Sequence, residues 1–229
     1  MNEILKVTAY VPVKKNSERV ANKNFRNFNG RPLYEWIFLT LDKIASIETV
    51  VVNTDSEILI DSLPDLSGKI RIIRRDEKLL GDHVVMNELF AADLDELAGE
   101  HFLQTHCTNP LLTAATIHQA IEKYFEAMPR HDSLFTVSEI RKRAYRSDLS
   151  PVNHQTGEMK MTQHLDPVLI ENSNLFLFSR SSFLNAGKNR IGLKPQSLVM
   201  NDLEGMDIDY EEDFLLAEMV HQNRERFIR

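Results

Sequence analysis

Short apolar segments rich in β-branched residues alternate with amphipathic helical segments from Ile4 to Val137. The predicted strands are Ile4–Val13, Thr49–Asn53, Lys69–Ile73, His101–Gln104 and Ser133–Val137. The predicted helices run from Pro32 to about Ser46, from Glu57 to Leu63, from His83 to Ala98, and from the N-cap Thr113 to about Met128. Strands that alternate with helices form parallel βαβ units, because a parallel connection needs a long crossover. The sequence therefore predicts an α/β fold, a three-layer αβα sandwich around a mostly parallel sheet.

The alternation stops after Ser138, and the residues that follow show no helical period. Asn153–Gly157 has the composition of a hairpin turn, so we expect a β-arm at Lys142–Gln163 that projects from the sheet. An extended hairpin is marginal on its own and usually packs against something, and a twofold partner is a natural candidate. The sequence therefore predicts a homodimer, with a mobile surface loop as the alternative.

Two further elements are expected beyond the arm. Leu175–Phe178 is an apolar run that returns to the sheet, and Glu211 to about Arg226 is an amphipathic helix that buries one face. The residues predicted to face inward are Phe214, Leu215, Leu216 and Met219. With these elements, residues 1–229 are expected to form a single domain.

Charge and composition argue against several classes of protein. The net charge of −7 disfavours general nucleic-acid binding. No apolar run approaches the roughly 18 residues of a membrane span, and the first residues lack the pattern of a signal peptide. The one cysteine, Cys107, rules out an internal disulfide. We therefore expect a cytoplasmic protein with neither a nucleic-acid nor a membrane partner.

A cationic loop, VPVKKNSERVANKN at Val11–Asn24, ends the first predicted strand and extends beyond it. From Lys14 to Arg31 the net charge is +5, so the rest of the chain is −12. The loop has no glycine, whereas the familiar phosphate-binding loops depend on glycine. Lys14, Arg19 and Lys23 are spaced so that several of them could converge on a triphosphate. A small anionic ligand is one interpretation, and a solvated basic loop is the other.

Several polar residues lie at or just beyond the carboxyl ends of predicted strands. They are Lys14, Asp55 and the loop after Gln104. In an open α/β sheet, ligands bind beyond these ends, so we expect an active site here. Asp55 is equally compatible with a helix cap and with a ligand contact.

Two carboxylates lie two residues apart in Asp207-Ile208-Asp209. In an extended segment they lie on one side and can share a hard cation such as Mg²⁺. Asp209-x-x-Glu212 also resembles a helix N-terminal capping arrangement, which would explain Asp209 without a metal. Spacing alone favours capping for Asp209 and leaves Asp207 unexplained.

Other chemical groups give weaker signals. His101, His106 and Cys107 are close in sequence but lack a second pair of zinc ligands, so structural roles are expected. Ser17 has no histidine near it in a nucleophile motif, which leaves covalent catalysis unsupported.

Five segments in a fixed order match the motifs of one known family. VPVKKNSERVANKNFRNFNGRPLYEW is similar to its opening motif, and VVVNTDSEI is similar to its strand end V-V-S-T-D-S. RDEKLLGD resembles R-P-x-x-L-A-x-D, and FLQTHCTNPLL resembles L-Q-P-T-S-P-L with two extra residues. MDIDYEEDFLLAE is close to its terminal I-D-I-D motif. Over nearly its whole length, the chain thus resembles the acylneuraminate cytidylyltransferase family, the CMP–sugar-acid synthetases.

The resemblance implies a Rossmann-like nucleotidyltransferase fold whose β-arm serves dimerisation. It also implies transfer of CMP from CTP to a sugar acid, with release of pyrophosphate and with Mg²⁺ or Mn²⁺ as cofactor. By position, the implied nucleotide-binding residues are Lys14, Ser17, Arg19, Lys23, Asn24 and Arg75, and the acceptor-binding residues are Gln104, Asn109 and Asn172. The implied metal ligands are Asp207 and Asp209, and the implied catalytic residues are Lys14, Lys23 and Asp209. The resemblance therefore favours metal binding for both aspartates.

The chain departs from the family pattern at several positions. Lys14 stands where arginine is usual, and Glu18 replaces a frequent basic residue. Aligned on Asn172, the places of two acceptor-site arginines hold Thr162 and Ile170. A carboxylated sugar would lose an obvious cationic partner there. The departure points to an acceptor other than N-acetylneuraminate: another nonulosonic acid or a different small hydroxylated molecule.

Two other functions remain open from the sequence. Asp207-Ile208-Asp209 also spells the D-x-D motif of GT-A glycosyltransferases, although that motif normally follows a strand in the middle of the domain. The changes at Lys14 and in its loop are also compatible with a nucleotide-binding homologue that has lost activity.

Overall fold

A computed structural model describes residues 6–17, 19–81, 83–157 and 159–227. Ile4, Glu18 and Asp82, which belong to predicted features, lie outside the described residues. The strands are β1 (Val7–Tyr10), β2 (Asn27–Phe28), β3 (Arg31–Pro32), β4 (Ile47–Thr54), β5 (Ile70–Arg74), β6 (His101–Gln104), β7 (Ser133–Ile140), β8 (Val168–Ser179) and β9 (Pro195–Val199). The helices are α1 (Leu33–Asp42), α2 (Glu57–Leu66), α3 (Met86–Asp93), α4 (Ala114–Ala127), α5 (Arg180–Asn185), α6 (Glu211–Gln222) and α7 (Arg224–Phe227).

Seven strands form one sheet in the order β5-β4-β1-β6-β8-β7-β9. β8 is antiparallel to both of its neighbours, and every other neighbouring pair in this sheet is parallel. β2 and β3 pair separately across the turn at Asn29-Gly30. The predicted α/β fold with a mostly parallel sheet is therefore confirmed.

Different helices cover the two faces of the sheet, which gives three layers. Alternate residues of a strand point to opposite faces. In β4, Val50 and Val52 pack in the core with α1, α2 and α4, whereas Val51 packs in the core with α3 and α5. The second core is aromatic, and the ring of Phe90 makes T-shaped contacts with Phe178 at 4.9 Å. Burial on both faces explains the apolar run Val50-Val51-Val52 in the middle of β4.

Most predicted elements are present with shifted ends. The N-cap of α4 is confirmed, because Thr113 Oγ1 accepts a hydrogen bond from the Thr116 N–H at 3.0 Å. The helix predicted at His83–Ala98 is shorter, since α3 gives way to a 3-10 turn at Leu94–Glu96. α5 and β9, which are only six and five residues long, were not predicted. No described helix is long and apolar enough to cross a bilayer.

The predicted β-arm is only partly a β-ladder. β7 and β8 continue as an antiparallel pair toward it, but the described part of residues 141–167 contains no strand. An isolated bridge joins Tyr145 to Pro151, so the hairpin turn lies between them and not at the predicted Asn153–Gly157. Asn153 instead anchors the segment, because its Nδ2 donates to the carbonyl of Lys142 at 3.0 Å. A side-chain amide thus takes the place of regular backbone pairing.

The buried face of α6 differs from the predicted one. Phe214 is buried as expected, but its partners are Ala217 and Val220, which recur every three residues. The other predicted inward residues are about half exposed or more: Leu215 at 52%, Leu216 at 48% and Met219 at 64%. The periodicity is helical, but the small Ala217 gave a weaker signal than the three larger side chains beside it.

Candidate active site

A cavity of about 400 Å³ lies beyond the carboxyl ends of β1, β5 and β6. One wall is apolar and includes Val84, Met86 and Leu89. All six of the predicted nucleotide-binding residues also line this cavity: Lys14, Ser17, Arg19, Lys23, Asn24 and Arg75. This edge of the sheet is where an open α/β fold binds its ligands. A cavity with one cationic and one apolar wall suits a ligand that has phosphates at one end and a ring at the other.

The glycine-free loop is fixed by side chains. Asn22 adopts φ 52°, a left-handed conformation that asparagine tolerates better than most residues. Asn24 is buried, and its Nδ2 donates to the Lys14 carbonyl at 2.9 Å. Asp55 Oδ1 accepts a hydrogen bond from the Lys15 N–H at 2.7 Å, so Asp55 anchors the loop. Asparagine and aspartate side chains thus hold this loop in place without glycine.

Lys23 joins the loop to the segment that contains the two aspartates. Its side chain is 8% exposed, and its Nζ donates to the carbonyl of Ile208. An ammonium group has three N–H donors. Two of the Lys23 donors have no protein acceptor among the described residues and remain available to a ligand in the cavity.

Arg75 is held through a chain of buried polar groups. Its Nε donates to Asn53 Oδ1 at 2.6 Å, and Asn53 Nδ2 donates to Asp93 Oδ2 at 2.6 Å. The Tyr10 hydroxyl donates to the same Asp93 oxygen at 2.7 Å. Burial lowers the pKa of Arg75 and raises the pKa of Asp93. Asn53, Asp93 and Tyr10 were not predicted as site residues, and the signal available for Asn53 was a polar residue at the end of an apolar strand.

Asp207 is the more buried of the two aspartates. Burial raises the pKa of its carboxyl group, and the nearby charge of Asp209 also raises it. Asn109 Nδ2 donates to Asp207 Oδ1 at 3.4 Å. Asp209 Oδ1 lies 2.7 Å from Arg19 Nη2, and both side chains are more than a third exposed. The two carboxylates thus lie in different environments, one enclosed and one at the surface.

Asp209 does not cap α6. Asp213 Oδ2 accepts hydrogen bonds from the N–H groups of Asp209, at 3.0 Å, and Tyr210, at 2.8 Å. The predicted capping pair Asp209 and Glu212 was therefore wrong by one residue, because the observed pair is Tyr210 and Asp213. Because Asp213 satisfies the start of the helix, the Asp209 carboxylate is left for Arg19 or for a ligand.

The residues around Asp207 fit a hard cation. Asn109 is 1% exposed, and its Oδ1 has no hydrogen-bond partner in the described part of the chain. Asp207, Asp209 and Asn109 offer only oxygen ligands, which Mg²⁺ prefers. No group of three or more His, Cys, Asp or Glu residues in the described ranges is placed to enclose a metal. Two carboxylates combined with ligand phosphates is the usual way in which proteins bind Mg²⁺.

No hydrogen bond among the described residues joins the three predicted acceptor residues to one another. Asn109 lies beside Asp207, and Asn172 packs near Gly205, accepting a hydrogen bond from Thr136 Oγ1 at 2.7 Å. Gln104 has no exposed surface. Among the described residues that line the cavity, none of the three is present. Their assignment to the acceptor stays a prediction.

His106 and Cys107, for which structural roles were expected, both line the cavity. Burial, together with the charges of Arg190 and Lys23, lowers the pKa of His106 to about 4, so the imidazole is neutral at pH 7. Burial raises the pKa of the Cys107 thiol to about 12. Its Sγ lies 3.4 Å from Asn24 Oδ1.

The sheet order and the cavity at its carboxyl edge define a Rossmann-like αβα fold. A solved structure of CMP:2-keto-3-deoxy-manno-octonic acid synthetase complexed with CTP superposes with a TM-score of 0.70 at 10% identity, covering 96% of this chain and 99% of that one. 4-Diphosphocytidyl-2C-methyl-D-erythritol synthase from Anaerococcus prevotii superposes with a TM-score of 0.63 at 12% identity, covering 97% of this chain and 100% of that one. At these identities the likeness establishes the fold.

The family follows from the sequence. A family profile described as Cytidylyltransferase matches residues 8–227, so the chain belongs to the cytidylyltransferase family. The predicted resemblance to CMP–sugar-acid synthetases and the predicted nucleotidyltransferase class are confirmed at this level. Because the chain belongs to this family, Asp207-Ile208-Asp209 is interpreted as part of a cytidylyltransferase and not as the D-x-D motif of a glycosyltransferase.

Three curated relatives share about a quarter of their aligned residues with this chain. CMP-N,N′-diacetyllegionaminic acid synthase from Legionella pneumophila is 24% identical and aligns over 98% of this chain and 100% of its own length. Pseudaminic acid cytidylyltransferase from Campylobacter jejuni is 24% identical over 66% of each chain. 3-Deoxy-manno-octulosonate cytidylyltransferase from Acaryochloris marina is 24% identical over 53% of this chain, and the match spans 48% of that relative.

Proposed function

We propose that this chain is a CTP-dependent cytidylyltransferase that transfers CMP to a sugar acid and releases pyrophosphate, with Mg²⁺ as cofactor. The main support is that all six predicted CTP-binding residues line one cavity. Lys23 also links that cavity to the Asp207–Asp209 segment. The names of the relatives, each of which contains a sugar acid, support the acceptor class.

The arrangement suits an in-line displacement at phosphorus. An acceptor hydroxyl attacks the α-phosphorus of CTP and pyrophosphate leaves, so negative charge accumulates on the leaving oxygens. Lys14, Lys23 and Arg75 are cations already positioned around the cavity, and such preorganised charge lowers the barrier without a covalent intermediate. Mg²⁺ held by Asp207 and Asp209 would neutralise phosphate charge. We assign Asp209 as the acceptor of the hydroxyl proton, because its carboxylate is the exposed one of the pair.

Pyrophosphate release tests this function directly. The assay pairs each of the four nucleoside triphosphates with 3-deoxy-manno-octulosonate, pseudaminic acid and N,N′-diacetyllegionaminic acid, with and without Mg²⁺. We expect release only with CTP, Mg²⁺ and at least one acceptor. Folded protein that releases no pyrophosphate with any combination would contradict the proposal.

Two lysine variants locate the activity in the cavity. Lys23→Ala should reduce turnover at least tenfold, because it removes a cation from the leaving group. Lys69→Ala is the matched control, since Lys69 Nζ also donates to main-chain carbonyls, those of Asp42 at 2.8 Å and Ile44 at 3.0 Å, but lies outside the cavity lining. Equal turnover in the two variants would exclude Lys23 from the reaction.

A thermal-shift titration distinguishes an active enzyme from a nucleotide-binding protein that has lost activity. Bound CTP raises the melting temperature whether or not the protein turns it over. CTP stabilisation that persists in Asp209→Asn, combined with no turnover in the wild type, would favour the non-catalytic function.

We also propose a homodimer in the cytoplasm, where CTP is available. Exposed apolar side chains in the predicted arm support the dimer: Leu149 at 78%, Met159 at 93% and Met161 at 58%. Deletion of Lys142–Gln163 should then give a monomer by light scattering. A dimer that survives this deletion would refute the role of the arm.

A further inference from the structure

Arg190 is a largely buried cation in the connection between α5 and β9. Its guanidinium carbon lies 3.9 Å from the ring centroid of Phe176. Its Nη1 donates to Gln104 Oε1 at 2.8 Å. Burial lowers the pKa of Arg190 to about 10, so the side chain keeps its charge at neutral pH. The charged guanidinium of Arg190 needs an explanation, because burying a charged group costs free energy unless the group is paired.

The protein leaves most of the Arg190 guanidinium without partners. A guanidinium has five N–H donors in a planar fork. One of them donates to Gln104, and no carboxylate in the described ranges lies within ion-pair distance of Arg190, although the charge of Glu171 raises the pKa of Arg190. Arg180 shows the contrast, since it also stacks on a phenylalanine of the same sheet but donates to three main-chain carbonyls. Arg190 therefore retains a planar set of donors that matches a carboxylate.

Arg190 is also connected to the cavity. Gln104 Nε2 lies 2.9 Å from His106 Nε2, and His106 lines the cavity that Lys23 also lines. The charges of Arg190 and Lys23 both lower the pKa of His106, so the imidazole lies within electrostatic range of both cations. Arg190 is thus near the phosphate-binding residues without being one of them.

The chemistry of the acceptor class calls for a cation in such a place. In the cyclic form of a 2-keto sugar acid, the carboxylate and the anomeric hydroxyl are on the same carbon. When that hydroxyl attacks the α-phosphorus, the carboxylate must lie within a few ångströms of the cations that hold the phosphates. Thr162 and Ile170, at the positions where acceptor-site arginines were expected, are exposed and uncharged.

We propose that Arg190 binds the carboxylate of the acceptor and so selects acids over neutral sugars. This inference rests on the function proposed above. In it, Phe176 and Gln104 position the guanidinium, one by stacking and the other by accepting one N–H, while the remaining donors meet the two carboxylate oxygens. Arg190 is then the specificity-determining residue of the acceptor site.

The test compares an acceptor acid with its methyl ester, which keeps the sugar but removes the charge. The probe is whichever of the three acids named above gives the highest turnover, or binds most tightly if none turns over. Arg190→Gln should raise the KM for the acid about 10- to 100-fold, the usual effect of losing a hydrogen-bonded charge pair. The wild type should prefer the acid over the ester by a similar factor. In Arg190→Gln this preference should fall to about one, while the Kd for CTP stays within about twofold.

Two further variants separate recognition from packing. Arg190→Lys keeps a point charge without the fork, so it should retain part of the preference for the acid. Arg180→Gln is the matched control, which should lower the melting temperature and leave the preference unchanged. If Arg190→Gln weakens acid and ester equally, or keeps the wild-type preference, the residue is structural and the proposal is overturned.

Calorimetry keeps this test independent of turnover. The acid and its ester are titrated into protein loaded with a non-hydrolysable CTP analogue, for the wild type and for Arg190→Gln. Absence of pyrophosphate release in the wild type would refute the proposed function, yet a preference for the acid that Arg190→Gln removes would still support Arg190. If the loaded wild type binds none of the three acids, or binds acid and ester equally, the assignment of Arg190 is overturned.

Discussion

Replacing Asn53 by leucine tests whether the buried polar chain behind the cavity positions Arg75. The Asn53 side chain has two short contacts, accepting from Arg75 Nε at 2.6 Å and donating to Asp93 Oδ2 at 2.6 Å. Both involve a charged partner. Leucine has a similar size, so the substitution removes the two hydrogen bonds while it keeps the space filled. Among the described residues, the one side-chain hydrogen bond left to Arg75 would run from its Nη2 to the Asn53 carbonyl, at 3.1 Å.

The expected magnitude follows from these contacts. Each hydrogen bond to a charged group contributes about 1.5–3 kcal/mol to stability, so the two together contribute about 3–6 kcal/mol. Burial of the leucine side chain offsets about 1.5–3 kcal/mol of this. We therefore expect Asn53→Leu to lower the free energy of unfolding by about 2 kcal/mol. Because Arg75 loses its orientation toward the cavity, the Kd for CTP should rise about tenfold, which corresponds to about 1.4 kcal/mol.

Urea denaturation measures the first quantity, and calorimetric titration with CTP measures the second. Thr136→Val is the control, because Thr136 is also fully buried and hydrogen-bonded to a side chain, Asn172, but does not line the cavity. It should lower stability without changing the Kd for CTP. If Asn53→Leu also loses stability and keeps the wild-type Kd, Asn53 does not position Arg75 for the nucleotide.

Three further substitutions or treatments have defined outcomes. Burial raises the pKa of Asp207, so the folded state favours the protonated carboxyl group and loses stability as pH rises through that pKa. Without metal, Asp207→Asn should therefore raise the melting temperature at pH 7 and flatten the pH dependence of the melting temperature. The same substitution should abolish turnover. The pKa of Cys107 is about 12, so iodoacetamide at pH 8 should label the thiol only after unfolding, as mass spectrometry would detect. A Cβ at Gly205 would lie 3.0 Å from Asn172 Nδ2, 3.2 Å from Ser138 Oγ and 3.4 Å from the Asn201 carbonyl oxygen, so Gly205→Ala must displace these groups and should lower the free energy of unfolding by about 1 kcal/mol in urea denaturation.

The layered fold was predictable because its signal is local. β4 is apolar on both faces since helices cover both, and that burial appears in the sequence as an unbroken run, TVVV. α5 and β9 were missed because each is only five or six residues long. β9 also pairs along one edge only, and a single residue of its five is buried, so its sequence does not distinguish it from a loop. The inward face of α6 was assigned to the larger side chains, although tertiary packing selected Ala217.

The candidate site was predictable only where a motif names its residues. The cationic loop is contiguous, and its five proposed CTP contacts came from motif positions that the fold brings to one cavity. Arg75, by contrast, depends on Asp93 through Asn53, and Arg190 reaches Gln104 across 86 positions of sequence. No rule of sequence spacing predicts such pairs, because the order of strands in the sheet decides which of these residues are close in space.

The contact between Lys23 and the carbonyl of Ile208 shows how the two motifs depend on each other. The residues are 185 positions apart, yet a buried ammonium of the first loop binds the peptide between the two aspartates. A ligand that draws Lys23 toward its phosphates would therefore also act on the backbone that orients Asp207 and Asp209. The position of the cationic loop and the position of the two carboxylates therefore depend on each other. A glycine-free loop that is fixed by Asn24 and Asp55 keeps Lys23 in place for this contact.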